Sequence, residues 1–183
     1  MNYMKNLALF FLMQLFVTKI FAVECIGPQD SKWGVVYLHG MDSGQFTIPD
    51  SNRENLIKIA NELHIRFALP RAKDHCPTKP NLYCWGWNFN DAQVIDDAIA
   101  AIKEAKKSCF PTLTHAGLIG FSNGGYVVNY ALKNCRKTEV DWSIAIGSGS
   151  NSWKDTDTTP SDLSSCGSYF FMVGKSDSAN LEA

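Results

Sequence analysis

Five short apolar runs, separated by stretches of helical periodicity, constrain this chain more than any other feature. They are Trp33–Leu38 (WGVVYL), His64–Leu69 (HIRFAL), His115–Phe121 (HAGLIGF), Trp142–Ile146 (WSIAI) and Tyr169–Val173 (YFFMV). A strand with one wet face alternates apolar and polar residues, whereas these runs are apolar almost throughout, as strands covered on both faces are. Between them lie helix patterns. Ser51-Asn-Arg-Glu54 has the form of a capping box, followed by Leu56, Ile57, Ala60 and Leu63 at helical spacing. Asp91 is placed to cap a helix in which Ile95, Ala98, Ile99 and Ile102 share a face and Lys106 and Lys107 close the last turn. Gly124–Asn134 reads as a third helix. Strands and helices in alternation predict an α/β domain: a mostly parallel sheet with helices on both faces.

The ends and the cysteines suggest where such a domain works. Residues 1–22 hold a lysine near the start, the apolar run LALFFLMQLFV (Leu7–Val17) and a small residue, Ala22, at a cleavable position. The run is too short for a bilayer, which needs roughly 20 residues, and fits the apolar region of an export signal. The expected organisation is therefore a signal peptide over 1–22 and one domain over 23–183, secreted or periplasmic, with no stable membrane span once the signal is removed. Glu24 before Cys25 argues against a lipid anchor on that cysteine. Six cysteines suit an oxidising compartment, and none forms a C-x-x-C pair that would suggest zinc. Cys76 and Cys84 form a local pair. Cys109 and Cys135 would join the ends of the helices flanking the His115–Phe121 strand, which leaves Cys25 with Cys166 by elimination. The net charge of −1 gives no basic face for nucleic acid.

The chemistry is carried by Gly120-Phe121-Ser122-Asn123-Gly124, a G-x-S-x-G motif between an expected strand and an expected helix. A sharp strand-to-helix turn holds the serine in a strained conformation, and the glycines let strand and helix pass closely. Ser122 would then be a nucleophile at the carboxyl edge of the sheet, where such folds place ligands. Asn123 opens the helix, so its N–H can donate to a developing oxyanion. His39-Gly40-Met41-Asp42 ends the first strand and would supply a second donor, the Met41 N–H. His39 is read as a brace for that loop, not as a base.

The stretches VVYLHGMDSG, ALPRA with the later WGWNF, GFSNGG and VGKSD follow the order seen in α/β-hydrolases. They most resemble the phospholipase/carboxylesterase family that includes acyl-protein thioesterases. The resemblance covers Trp33 to about Asp177 and implies an ester or thioester hydrolase with an acyl-enzyme on Ser122. It also implies Asp177 as the acid of the triad, with Asp155 and Asp157 as the fallback, and Met41 and Asn123 as the oxyanion hole. No metal or cofactor is implied. The substrate would be a small-molecule or lipid ester, with Tyr83, Trp85, Trp87 and Phe89 as candidates for an apolar pocket; the same rings could instead pack their loop onto the core.

One part of the pattern is missing. The family histidine follows the acid, yet all four histidines, His39, His64, His75 and His115, precede Asp177. The chain ends at Ala183, so a C-terminally shortened member, without its final strand and helix, is expected. Two alternatives stay open: a polymer-directed esterase of the same fold, and an inactive or ligand-binding domain lacking the base.

Overall fold

The computed structural model describes residues 23–41, 50–88, 91–133, 138–148 and 168–172. Six strands form one sheet in the order β1 (Val23–Ile26), β3 (Ile65–Pro70), β2 (Trp33–Leu38), β6 (Ala116–Phe121), β7 (Trp142–Ile146) and β8 (Ser168–Met172). All neighbours pair in parallel except β1, which runs antiparallel to β3 along the edge. Three helices accompany the sheet: α1 (Asp50–Glu62), α2 (Ala92–Cys109) and α3 (Asn123–Lys133). The sequence expectations are met to within a residue or two. The first helix begins at Asp50, one residue ahead of Ser51. At α2 the expected cap forms, with Asp91 Oδ1 accepting the Gln93 N–H at 2.9 Å.

Helices cover one face of the sheet and, over β1–β3, the other as well, which fits the mostly apolar runs; Phe121 on β6 and Phe170 and Met172 on β8 stay exposed. Val36, Leu38, Ala68, Leu118 and Ala145 pack beneath Ala98, Ala101 and Ile102 of α2 and Val127, Val128 and Leu132 of α3. On the opposite face Val35, Tyr37, Phe67 and Leu69 pack against Ala60, with Leu56 and Ile57 of α1 alongside. At roughly 25 cal/mol for each Å² of apolar surface removed from water, burial on two faces is the main stabilising contribution to such a domain.

Two elements depart from expectation. β1 falls just after the segment expected to be a signal and was not anticipated. The loop that carries Tyr83, Trp85 and Trp87 contains an antiparallel hairpin, β4 (Asp74–Cys76) and β5 (Lys79–Cys84). Cys76 and Cys84 are bonded across this hairpin. The remaining pairing is a correction: Cys25 is joined to Cys109, with Cα atoms 5.4 Å apart, and not to Cys166, nor Cys109 to Cys135. The cause is β1, which lies against β3 and carries Cys25 to the end of α2. Arg66 on β3 ties the same corner, donating to the carbonyls of Cys109 at 2.5 Å and Gly27 at 3.0 Å. Cys135 and Cys166 lie outside the described residues, as do the expected signal over 1–22, Phe89, Asp155, Asp157 and Asp177. No described helix is long and apolar enough to cross a membrane.

Topology also locates the place where a ligand can enter. From β2 the chain moves outward through α1 to β3 on one side; from β3 it returns past β2, through α2, to β6 and then through α3 to β7. The direction of winding therefore reverses between β2 and β6. Outside the carboxyl ends of those two strands the connecting loops diverge, and open α/β sheets bind ligands in the crevice left there.

Candidate active site

The segments following β2 and β6 meet at this crevice. Ser122 follows the last residue of β6 and has φ of 50°, in the left-handed region that a non-glycine residue occupies at a cost of about 1–3 kcal/mol. Two backbone bonds hold it there. Its N–H donates to the Ile146 carbonyl of β7 at 2.8 Å, and its carbonyl accepts the Tyr126 N–H of α3 at 3.1 Å. Ser122 is half-buried, and among the described residues its hydroxyl has no hydrogen-bond partner.

The glycines permit this geometry by leaving out side chains. A methyl group on Gly124 would lie 2.4 Å from the Leu38 carbonyl oxygen and 2.7 Å from that of His39. One on Gly120 would lie 2.2 Å from the carbonyl oxygen of Gly124. Helix α3 thus starts in direct backbone contact with the ends of β2 and β6. On the other side of the serine, a methyl on Gly40 would come within 3.2 Å of Ser122 Cβ, so the loop 39–41 borders Ser122. Met41 is 38% exposed at the mouth. Asn123 is the first residue of α3, and the N–H groups of a first helical turn have no intrahelical acceptor.

The Asn123 side chain does something the sequence did not suggest. It is buried, its Oδ1 accepts the Trp85 N–H at 2.8 Å, and its Nδ2 donates to the Gly86 carbonyl at 3.0 Å. Trp85 Nε1 in turn donates to the His39 carbonyl at 3.0 Å, and its ring lies 5.2 Å from the His39 ring. Trp85 is 7% exposed, a core residue and not an open pocket wall; Trp87, at 50%, is the exposed ring of that segment. Tyr83 packs between His75, 4.3 Å away, and the Arg71 guanidinium, 4.8 Å away.

Behind the elbow lies a second buried polar group. Asn129 on α3 donates to Ser148 Oγ at 3.2 Å, and the Tyr169 hydroxyl of β8 donates to Asn129 Oδ1. Burial pushes the Tyr169 hydroxyl well above its ordinary range, so it stays a donor at any physiological pH. These bonds link α3 to the ends of β7 and β8. Nothing in the spacing of the three residues marks them in advance.

All four histidines are described, and their places can be compared with that of Ser122. His39 is 7% exposed, and its Nε2 accepts the Ala72 N–H at 3.1 Å. Nε2 is therefore unprotonated, and Nδ1–H donates to the Gly40 carbonyl at 2.5 Å. Both ring nitrogens brace the loop, as expected from sequence. His64 and His115 precede β3 and β6, at the amino edge of the sheet, beside Asp30 and Asp141 respectively. A six-residue strand separates that edge from Ser122, about 20 Å at 3.3 Å per residue. His75 is exposed on the hairpin and stacked on Tyr83. None hydrogen-bonds to Ser122.

No family model matches the chain, and no characterised protein matches it by sequence. Solved structures do match. A carboxylesterase from Mesorhizobium loti aligns with a TM-score of 0.55 at 16% identity, covering 87% of this chain and 88% of that one. A carboxylesterase from Bacillus cereus aligns at 0.54 and 12% identity, covering 75% and 64%. An α/β serine hydrolase without a lid, from Xanthomonas campestris, aligns at 0.51 and 20% identity, covering 84% and 64%. The chain spans about half the length of other matched structures, 47% and 51% of two of them. What these structures share with the chain is the fold, a mostly parallel sheet flanked by helices as in the α/β hydrolases.

Proposed function

We propose that this chain is an exported serine hydrolase of carboxylic esters or thioesters, similar to the phospholipase/carboxylesterase family. One observation carries the proposal: Ser122 is held at φ of 50° outside the carboxyl end of β6, against the loop that follows β2. A turn of that cost is kept where it aims a reacting group. In this reading Ser122 Oγ attacks the substrate carbonyl carbon, and the carbonyl oxygen becomes an anion between the N–H groups of Met41 and Asn123. Collapse expels the alcohol or thiol and leaves an acyl-serine, which water then hydrolyses. Asp177 is proposed as the acid that orients the base. Exposed Met41, Phe121 and Trp87 favour an apolar acyl group. Export is proposed from the apolar segment 7–17, and the two disulfides support an oxidising compartment.

A second reading is favoured by the histidines. With none of the four bonded to Ser122, the domain would bind an ester without turning it over. A fluorophosphonate probe separates the nucleophile question from turnover. The expected result is covalent labelling that disappears in Ser122→Ala, a variant that loses one oxygen and keeps the fold. Equal labelling of both proteins would refute the assignment.

A further inference from the structure

We infer that the Asn123 carboxamide is a positioning group: through Trp85 it sets the spacing between the two segments that would supply the oxyanion donors. The inference rests on the serine-hydrolase reading for its consequence, but its mechanical part stands on contacts alone. The N–H donors proposed for the oxyanion come from different elements, Met41 from the loop after β2 and Asn123 from the start of α3. Their separation has to be fixed to a few tenths of an ångström, because hydrogen bonds to an oxyanion act over 2.7–3.1 Å. Backbone contact at Gly124 stops the two elements from approaching, but does not stop them from parting.

The contacts around Trp85 supply the missing restraint. Asn123 grips the backbone of the 84–87 segment with both ends of its amide, accepting from Trp85 N–H and donating to the Gly86 carbonyl. The indole of the gripped residue then reaches the other element, donating to the His39 carbonyl. His39 passes the restraint on, because its ring holds the Gly40 carbonyl and the Ala72 N–H. Gly40 abuts Ser122, which is joined to Asn123 by the chain itself. The circuit Asn123–Trp85–His39–Gly40–Ser122 is therefore closed. The bonds at Trp85 N–H and at the indole are both buried, so water does not compete for them. The Cys76–Cys84 bridge ends one residue before Trp85 and anchors the hairpin from which this segment leaves. A side chain that only filled space would need neither the donor nor the acceptor of a carboxamide.

Two variants separate this role from simple packing. Asn123→Ala removes both amide bonds, while Trp85→Phe keeps a ring beside His39 and removes only the bond between the two elements. Hydrogen exchange by mass spectrometry is the first readout, on the full chain with its disulfides intact. In Asn123→Ala, protection should fall in residues 84–87 and in residues 38–41 together; in Trp85→Phe it should fall chiefly in 38–41. The second readout is phosphonylation of Ser122, resolved into probe affinity and inactivation rate. The rate should fall roughly tenfold in each variant, less than the 10²–10³ for outright loss of a donor, with affinity within about twofold. Loosening of 84–87 with unchanged protection of 38–41 in both variants would overturn the inference, whatever the labelling. If the unmodified protein is not labelled even with imidazole added as base, the nucleophile reading fails, and exchange alone decides the coupling.

Discussion

Opening the Cys25–Cys109 bridge should be the most costly single covalent change to this domain short of cutting the chain. The two cysteines are 84 residues apart in sequence, against 8 for Cys76 and Cys84. In the loop-entropy description the larger loop gives about 4.5 kcal/mol and the smaller about 2.5 kcal/mol at 25 °C. Residual structure in the unfolded chain reduces the first figure. Arg66 still bonds the Cys109 and Gly27 carbonyls after the bridge is gone, and β1 keeps its pairing with β3, so the corner does not simply part. We expect a loss of about 3–4 kcal/mol, a large share of the 5–15 kcal/mol that holds a typical domain. Alanine is the right replacement at both sites, because Cys109 is 4% exposed and a serine hydroxyl there would be buried. The assay is urea unfolding of Cys25→Ala/Cys109→Ala, followed by tryptophan fluorescence, beside Cys76→Ala/Cys84→Ala. The first pair should lower the midpoint more than the second. A loss below about 1 kcal/mol for the long bridge, or non-reducing peptide maps that join Cys109 to Cys135, would refute the reasoning.

Gly124→Ala should destabilise the protein by about 3 kcal/mol, since its methyl would press on two backbone carbonyls that must move by about 1 Å; Ser122 labelling should slow by roughly 100-fold, and unchanged labelling would count against a close-packed elbow. Burial pushes the Tyr37 hydroxyl up to about 12 from its ordinary 10. The folded state therefore holds that proton more tightly, so stability is complete below pH 10 and declines as pH rises towards 12. The decline is up to roughly 3 kcal/mol. Urea unfolding at pH 8 and pH 11 should show it, and Tyr37→Phe should flatten it only in part, because Tyr169 is pushed the same way.

How much of this could be read in advance depended on whether the signal was local. The five parallel strands were legible because their runs are apolar almost throughout, with only Arg66 in β3 and Ser143 in β7 interrupting the cores of two of them, although Phe170 and Met172 of β8 remain exposed. β1 was not: its four residues, VECI, include a glutamate that pairs with Arg53 at 2.5 Å, and one edge strand needs only one neighbour. The hairpin was hidden by its composition, DHC and KPNLYC, with an internal proline and mostly exposed side chains. Missing β1 carried the disulfide error with it, since the Cys25 position has no meaning without the strand that bears it. At the site, the elbow was legible because each of its glycines answers to a backbone a few ångströms away. The partners of the Asn123 side chain are 37 and 38 residues away in sequence, in a segment whose path no local pattern fixes.

The histidines give the final test. Ser122, the proposed nucleophile, sits at the turn between β6 and α3, while the imidazoles of the chain are engaged elsewhere: His39 in the loop, His64 and His115 at the far edge, His75 against Tyr83. If a missing base is the sole defect, a base from solution should restore part of the rate. General base catalysis contributes roughly 10²–10⁴-fold, but a diffusing imidazole at about 0.1 M lacks the effective molarity of a tethered one, which reaches 10⁵ M or more. A gain of about tenfold in p-nitrophenyl acetate turnover is therefore the reasonable expectation. Imidazole also attacks such esters directly, so the quantity that matters is the difference between the protein and its Ser122→Ala variant at each concentration. That difference should rise with imidazole and follow its neutral form as pH passes 7. A difference already at a typical enzyme rate and indifferent to imidazole would mean that one of the four histidines reaches Ser122. His75 is the one to replace first, because it is neither buried in the loop like His39 nor at the amino edge of the sheet like His64 and His115.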